Sequence, residues 1–390
     1  MRTRHVFMSN RLPVSRGLSR VRLAAGTETT AQIARWALAA YALLAVLASL
    51  HPFTGWRDPG VAFWAFVTDP RPRYLTQFDL VANVLAYIPF GFLAVFAQPA
   101  HRHRALTLLL ALLPGVLLSF AMESLQTYLP VRHATWTDWL ANSAGTFAGA
   151  LMALPVARAW LNSPAAASWQ RDSFVARPGV LVALVALWLV SQLHPSALPF
   201  INGQFVPLVA ALLQQWLEIP LHSSPFDATR ALSADQFATV DILAASLGLA
   251  SLLLLARLSL TRVAPRVVLL LTLLALAVLC KTVATGLQFG PEEALGWWVP
   301  ATQKALLGAC VAAVLIAFLP GWLAGSLCVL MLFAQTVFVN IIPENPYFAA
   351  THTRWQHGAF IGFFGVTQWV AALWPVAALI AVLGRRWRET

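Results

Sequence analysis

The chain has 390 residues, of which 59% are hydrophobic and only 11% charged, with a mean hydropathy of +0.70. A soluble globular domain carries about 25% charged residues, so this composition excludes an ordinary water-soluble fold and points to an integral membrane protein built from helices. The net charge of +11 comes almost wholly from arginine, and no basic stretch interleaved with aromatics resembles a nucleic-acid groove, so nucleic acid is not an expected partner.

An Arg-rich tract precedes the first apolar run, which is followed by further runs, so this start reads as a cytoplasmic tail over 1–32 and a first span rather than a secretory signal. A helix needs about 20 apolar residues to cross a bilayer. By that measure ten spans are predicted: 33–50, 79–98, 104–121, 136–156, 179–195, 239–257, 266–284, 302–319, 321–341 and 363–384. They divide into a four-helix unit over 33–156, a cytoplasmic linker over 157–178, a six-helix unit over 179–384 and a tail over 385–390. The apolar stretch Pro207 to Pro220 is too short to span, and Leu208, Leu212, Trp216 and Ile219 follow helical spacing, which predicts an amphipathic helix on the outer surface. With both termini inside, 18 of the 26 basic residues fall on the cytoplasmic side and 8 on the other, in keeping with the positive-inside rule. The expected location is therefore the inner (cytoplasmic) membrane, multi-pass. Trp56, Trp136, Trp160, Trp297, Trp298 and Trp387 sit near span ends and read as an interfacial belt. Cys280, Cys310 and Cys328 fall in apolar runs without ligand spacing and read as core residues.

Polar residues converge on one level of this topology. Asp79 and Asn83 open the second span and are spaced i, i+4; Glu123 and Gln126 close the third and are spaced i, i+3. Arg132 lies in the following loop. Asp138, Asn142, Gly145 and Gly149 step along the fourth span at 4, 3 and 4 residues and form one seam. The glycines allow close helix approach, and Pro89 with Gly91 loosens the second span. Ionisable groups inside a membrane are costly and usually line a functional cavity. The plain alternative is structural: Asp79 and Asp138 cap helix N-termini, the amides join helices, and Arg132 pairs with an acid. Glu123 fits that alternative least, because a helix C-terminus disfavours an anion.

The sequence QFDLVANVLAYIPFG followed by ESLQTYLPVRHATWTDWLANSAGTFAG resembles the VanZ-like membrane family over about residues 35–156. The pattern is an acid and Asn before Pro-x-Gly, then Glu-x-x-Gln, an Arg, and Asp-x-x-x-Asn-x-x-Gly. Asp79, Asn83, Pro89, Gly91, Glu123, Gln126, Arg132, Asp138, Asn142 and Gly145 fall on it. Members often carry a further acid three residues after the Arg; Thr135 stands there, so the resemblance implies no metal site. It implies a link to teicoplanin resistance and supplies no mechanism.

Elsewhere signals are thin. His101 and His103 lie in a basic loop, and His352 and His357 lie near Glu344 without zinc-site spacing. No phosphate loop, nucleophile elbow or cofactor motif is present. FDLVANVLAY at Phe78 echoes VDILAASLGL at Val240, and LPG recurs at Leu113 and Leu319, as in a decayed duplication. The leading expectation is binding or handling of an envelope lipid or lipid-linked precursor, with Glu123 the central acid, Arg132 an anion contact, and Gln126, Asn83 and Asn142 orienting amides. Two alternatives stand beside it: an enzyme on such a lipid with Glu123 or Asp138 as acid/base, and a proton-coupled transporter.

Overall fold

The computed structural model describes residues 14–51, 53, 55–68, 77–99, 102–194, 196, 198–206, 208–210, 213, 232–262, 264–342 and 361–385; side-chain statements exclude 14–27, Phe78, Ala234 and 361–364. Among the described residues the fold is all-helical, with one isolated bridge pairing Phe174 and Leu260. Among the described residues nine helices are long and apolar enough to cross a membrane. The protein is a polytopic helical membrane protein.

The first helix, α1, runs from Val14 to Leu50. At 37 residues it is about 55 Å long, against a hydrocarbon core of about 30 Å. The Arg-rich stretch expected as a tail is therefore helical from Val14 onward, since Leu, Arg and Ala are strong helix formers whether or not they enter lipid. Helices α2 (Gln77–Phe96), α3 (Arg104–Gln126) and α4 (Trp136–Leu161) follow. The linker expected over 157–178 is partly helical: α4 continues to Leu161, and α5 (Pro164–Ser173) is capped by the Ser163 hydroxyl and packs on α1.

The tight pair in this half is α2 against α4. A Cβ on Gly91 would lie 1.9 Å from the Thr146 carbonyl oxygen, one on Gly145 2.2 Å from that of Val84, and one on Gly149 2.0 Å from that of Ile88. These glycines bring the two backbones into direct contact, which fixes the positions of Asn83 and Asp138 relative to each other. Ala94, Ala111, Ala150 and Ala153 fill the small core that results.

The later half holds α6 (Gly179–Ser191), α7 (Ala234–Arg257), α8 (Arg266–Phe289), α9 (Pro300–Ala317), α10 (Gly321–Ile341) and α11 (Ile361–Leu383). Its centre is α7, whose Leu249, Leu252, Leu253 and Leu255 are fully buried. The span expected over 179–195 is shorter than the other nine. Helix α6 has 13 residues, about 20 Å, and ends at Ser191. Residues 198–205 then continue as irregular chain, with Phe200, Ile201 and Asn202 buried. Non-helical backbone survives at membrane depth only where protein satisfies it. Asn340 does so here: its Oδ1 accepts from the Phe205 and Val206 amides, and its Nδ2 donates to the Gly203 carbonyl. Gly203, at φ 103°, donates its amide to the Ala371 carbonyl.

Helix α1 joins the halves by packing against α6 and α11. The bundle has two distinct ends. At one, Arg257 reaches the carbonyls of Leu260 and Leu319, and Arg266 those of Thr261 and Ala317, which caps helix C-termini with cations. At the other end lie the C-termini of α1 and α3 and the N-termini of α2 and α4.

Trp56, Trp160 and Trp298 are exposed, whereas Trp297 is buried edge-on between Phe200 and Trp298 and belongs to the core. The two LPG copies occupy different places, one inside α3 and one at the start of α10, and lend the duplication no support. Most of 207–220, together with His101, Glu344, His352, His357 and Trp387, lies outside the described residues.

Candidate functional site

A cavity of about 500 Å³ lies at the end of the bundle away from the Arg257–Arg266 caps. Its lining includes Asn83, Glu123, Gln126, Arg132, Asp138 and Asn142, so six of the seven candidate binding residues meet in one place. Asp79 does not line it; that side chain is exposed at the start of α2.

Each polar group is set by local structure. Glu123 lies in the last turn of α3 and is only 3% exposed. Its Oε2 accepts from the backbone N–H of Thr135 at 2.9 Å, and among the described residues Oε1 makes no hydrogen bond. Thr135 is the N-cap of α4: its hydroxyl accepts from the Asp138 amide at 3.1 Å. One residue therefore starts the helix and holds the acid of the preceding one. Asp138 accepts from Asn83 Nδ2 at 2.8 Å across the α2–α4 contact.

Asn142, one turn further into α4, donates to the Ser119 hydroxyl at 3.0 Å, while its Oδ1 is buried with no partner among the described residues. Gln126 donates to the Ser49 carbonyl at 2.9 Å and ties α3 to the end of α1. Tyr41 donates to the Ala86 carbonyl at 2.6 Å and closes α1 on α2.

Arg132 differs from the expectation of an acid partner or free anion contact. Its Nε and Nη2 both donate to the His51 carbonyl, and Nη2 also reaches the Ala48 carbonyl. The guanidinium thus caps the C-terminus of α1, where helix carbonyls lack partners and the dipole favours a cation. Burial lowers the Arg132 pKa from its usual value. Burial, and then the Arg132 charge, lowers that of His51. The His51 ring sits where a Cβ on Gly365 of α11 would be, 2.3 Å from its Nε2.

The walls are apolar and come from both halves. Leu44, Ala45 and Ala48 of α1 face Val190 of α6 and Val366 of α11, with Thr367 beside them. Val131 and His133 are exposed at the rim. Outside the lining, the buried Phe66 packs on Phe120 of α3 and Trp139 of α4. Among the described residues no group of three or more His, Cys, Asp or Glu side chains could hold a metal ion.

Residues 22–158 match the VanZ/LLP1 family model. This stretch is a VanZ-like domain. The match extends the resemblance of 35–156 back into α1, whose Tyr41, Leu44, Ala45 and Ala48 form one wall of the cavity. The chain matches no curated protein and no solved structure.

Sequence reasoning did not single out Ser119, His51, Tyr41, Val190 or Thr367. Ser119 had a usable signal, since it lies one turn before Glu123 on the same helix face. The others had none: Val190 and Thr367 sit in apolar runs, and His51 contributes a backbone carbonyl to Arg132.

Proposed function

We propose that this VanZ-like membrane protein binds the polar head of an envelope lipid or lipid-linked precursor in the cavity between α1 and α4. The carrying observation is the lining itself. The buried Glu123 side chain and the unpartnered Oδ1 of Asn142 lie in the same 500 Å³ space as an apolar wall of Leu44, Ala45, Val190 and Val366. Ligand sites are typically of this kind: apolar walls with a few placed polar groups, in a volume of about 300–1,000 Å³. An amphiphile satisfies both halves of the lining, whereas a purely polar solute leaves the apolar wall unmatched.

On this reading the cavity faces away from the cytoplasm, because the arginine-rich connections lie at the opposite end and such connections stay inside. The setting is the cytoplasmic membrane. Altered handling of a cell-envelope precursor at that face is the route by which the protein would change glycopeptide susceptibility.

The test fills the cavity without touching its polar groups. Ala45→Leu and Ala48→Leu each insert bulk into the apolar wall. Wild type and both variants are purified in the same detergent and their retained lipids measured by native mass spectrometry. Retention in wild type and loss in both variants is expected. Equal retention in all three places the lipid elsewhere and rejects the reading.

A further inference from the structure

We infer that the ligand of this cavity carries a primary ammonium group on an apolar tail, as in an ethanolamine phospholipid. The inference rests on the proposed lipid-binding reading and goes beyond it by naming the head-group chemistry.

The lining is short of hydrogen-bond donors. Glu123 Oε1 makes no hydrogen bond among the described residues, and Asn142 Oδ1 is a buried acceptor without a partner. Asp138 is a second carboxylate on the same wall. The donors, by contrast, are mostly engaged: Asn142 Nδ2 on Ser119, Gln126 on Ser49, Tyr41 on Ala86, Asn83 on Asp138. A buried acceptor left without a donor is costly, and Asn142 Oδ1 is one. A ligand that supplies donors and positive charge removes that cost, and an anion alone adds to it.

A primary ammonium has three donors and no acceptor, which suits Glu123, Asn142 and Asp138 together. A divalent metal fits less well, because among the described residues no three His, Cys, Asp or Glu side chains come together to hold one. A quaternary ammonium offers no N–H and is held by aromatic cages; the aromatic side chains here are Tyr41 and Tyr87. His133 and Arg132 Nη1, the guanidinium nitrogen not engaged on the α1 carbonyls, also belong to the lining and can meet a phosphate next to the amine. The apolar wall takes the first carbons of the tail.

The experiment presents the full-length protein in detergent with an equimolar mixture of dioleoyl phosphatidylethanolamine, phosphatidylcholine and phosphatidylglycerol, and reads bound lipid by native mass spectrometry. Ethanolamine is added in a separate arm. Two carboxamide variants, Glu123→Gln and Asp138→Asn, are run with Ala45→Leu, each checked for unchanged elution and melting. Gln keeps an acceptor for the Thr135 amide and Asn keeps one for Asn83, and misfolding of one variant leaves the other to report.

The expected result is at least a tenfold preference for the ethanolamine lipid in wild type. That preference is lost in the carboxamide variants, and all binding is lost in Ala45→Leu. Equal retention of the three lipids, or preference for phosphatidylglycerol, with Ala45→Leu still abolishing binding, overturns the amine assignment and leaves the cavity reading standing. Retention unaffected by Ala45→Leu overturns both. Displacement of the lipid by ethanolamine at equal concentration overturns the requirement for a tail and makes the ligand a free amine.

Discussion

Arg132 donates from both Nε and Nη2 to the carbonyl oxygen of His51, at 3.1 and 2.9 Å. The one arginine among the clustered acids therefore serves first to close the end of α1 against the α3–α4 loop, and its charge reaches the cavity from that fixed position. Substitution there tests a structural clip. Arg132→Lys keeps the charge but cannot reproduce a fork that grips the Ala48 and His51 carbonyls together. Hydrogen bonds to charged groups contribute about 1.5–3 kcal/mol. Arg132→Lys and Arg132→Gln should both lower the melting temperature in detergent, and an unchanged melt for Lys would mean that charge alone suffices.

His51 gives a pH prediction with a definite sign. Its folded-state pKa is lowered by burial and by Arg132, below the ordinary value of 6.5. Above about pH 6.5 the imidazole is neutral in both folded and unfolded chains and costs nothing. As pH falls below that value the unfolded chain takes up a proton first, so stability is lost down to the lowered folded pKa. Wild type should lose melting temperature between pH 7 and pH 5, and His51→Asn should lose less across the same interval. Parallel profiles would remove His51 from the account.

The α2–α4 contact predicts a sharp contrast among glycines. Gly149→Leu drives a side chain into the Ile88 carbonyl, and overpacking of this kind costs about 1–3 kcal/mol or more. Gly308, in α9, has nothing within 4 Å of its missing Cβ, so Gly308→Ala should be neutral or stabilise by about 0.5–1 kcal/mol. Thermal melts of the two variants check both halves. Loss of the α2–α4 seam should also abolish lipid retention, because Asn83 and Asp138 meet across it.

Asn340 supports irregular chain rather than the cavity. Asn340→Leu leaves the Phe205 and Val206 amides and the Gly203 carbonyl without this partner. Each orphaned buried group costs about 1–3 kcal/mol. A large drop in melting temperature or yield is expected, and Asn340→Asp, which keeps the acceptor, should fall between. Wild-type stability in Asn340→Leu would show that the segment finds other partners.

Nine of the ten predicted spans and the grouping of polar residues were legible because hydropathy and helical spacing are local properties. Asn83, Glu123, Asp138 and Asn142 stood out as polar residues on apolar helices, and all line the cavity. The work of Arg132 was hidden because its acceptors are backbone carbonyls, which every residue carries. The early end of α6 was hidden too: the apolar run from Gly179 reads on to 195, and the Asn340 and Ala371 contacts that make the irregular path beyond Ser191 affordable lie far away in the sequence. Asp79 looked equivalent to Asn83 at i, i+4, yet it lies one turn nearer the helix end, outside the reach of the cavity.

The cavity does not respect the boundary of the domain that names it. The family match ends at residue 158, while Val190, Val366 and Thr367 stand on the wall. The VanZ-like helices supply the polar part of a socket, and the appended helices supply part of its shape. On the proposed lipid-binding reading, two proteins sharing that polar part but carrying different appendages would keep the same head-group chemistry and differ in the tail they accept. Excising residues 1–158 as a minimal protein would expose the apolar wall to bulk lipid and erase selectivity for the tail. Grafting a different set of appended helices would change it, and comparison across chimaeras becomes a way to separate what is inherited with the motif from what each chain has added.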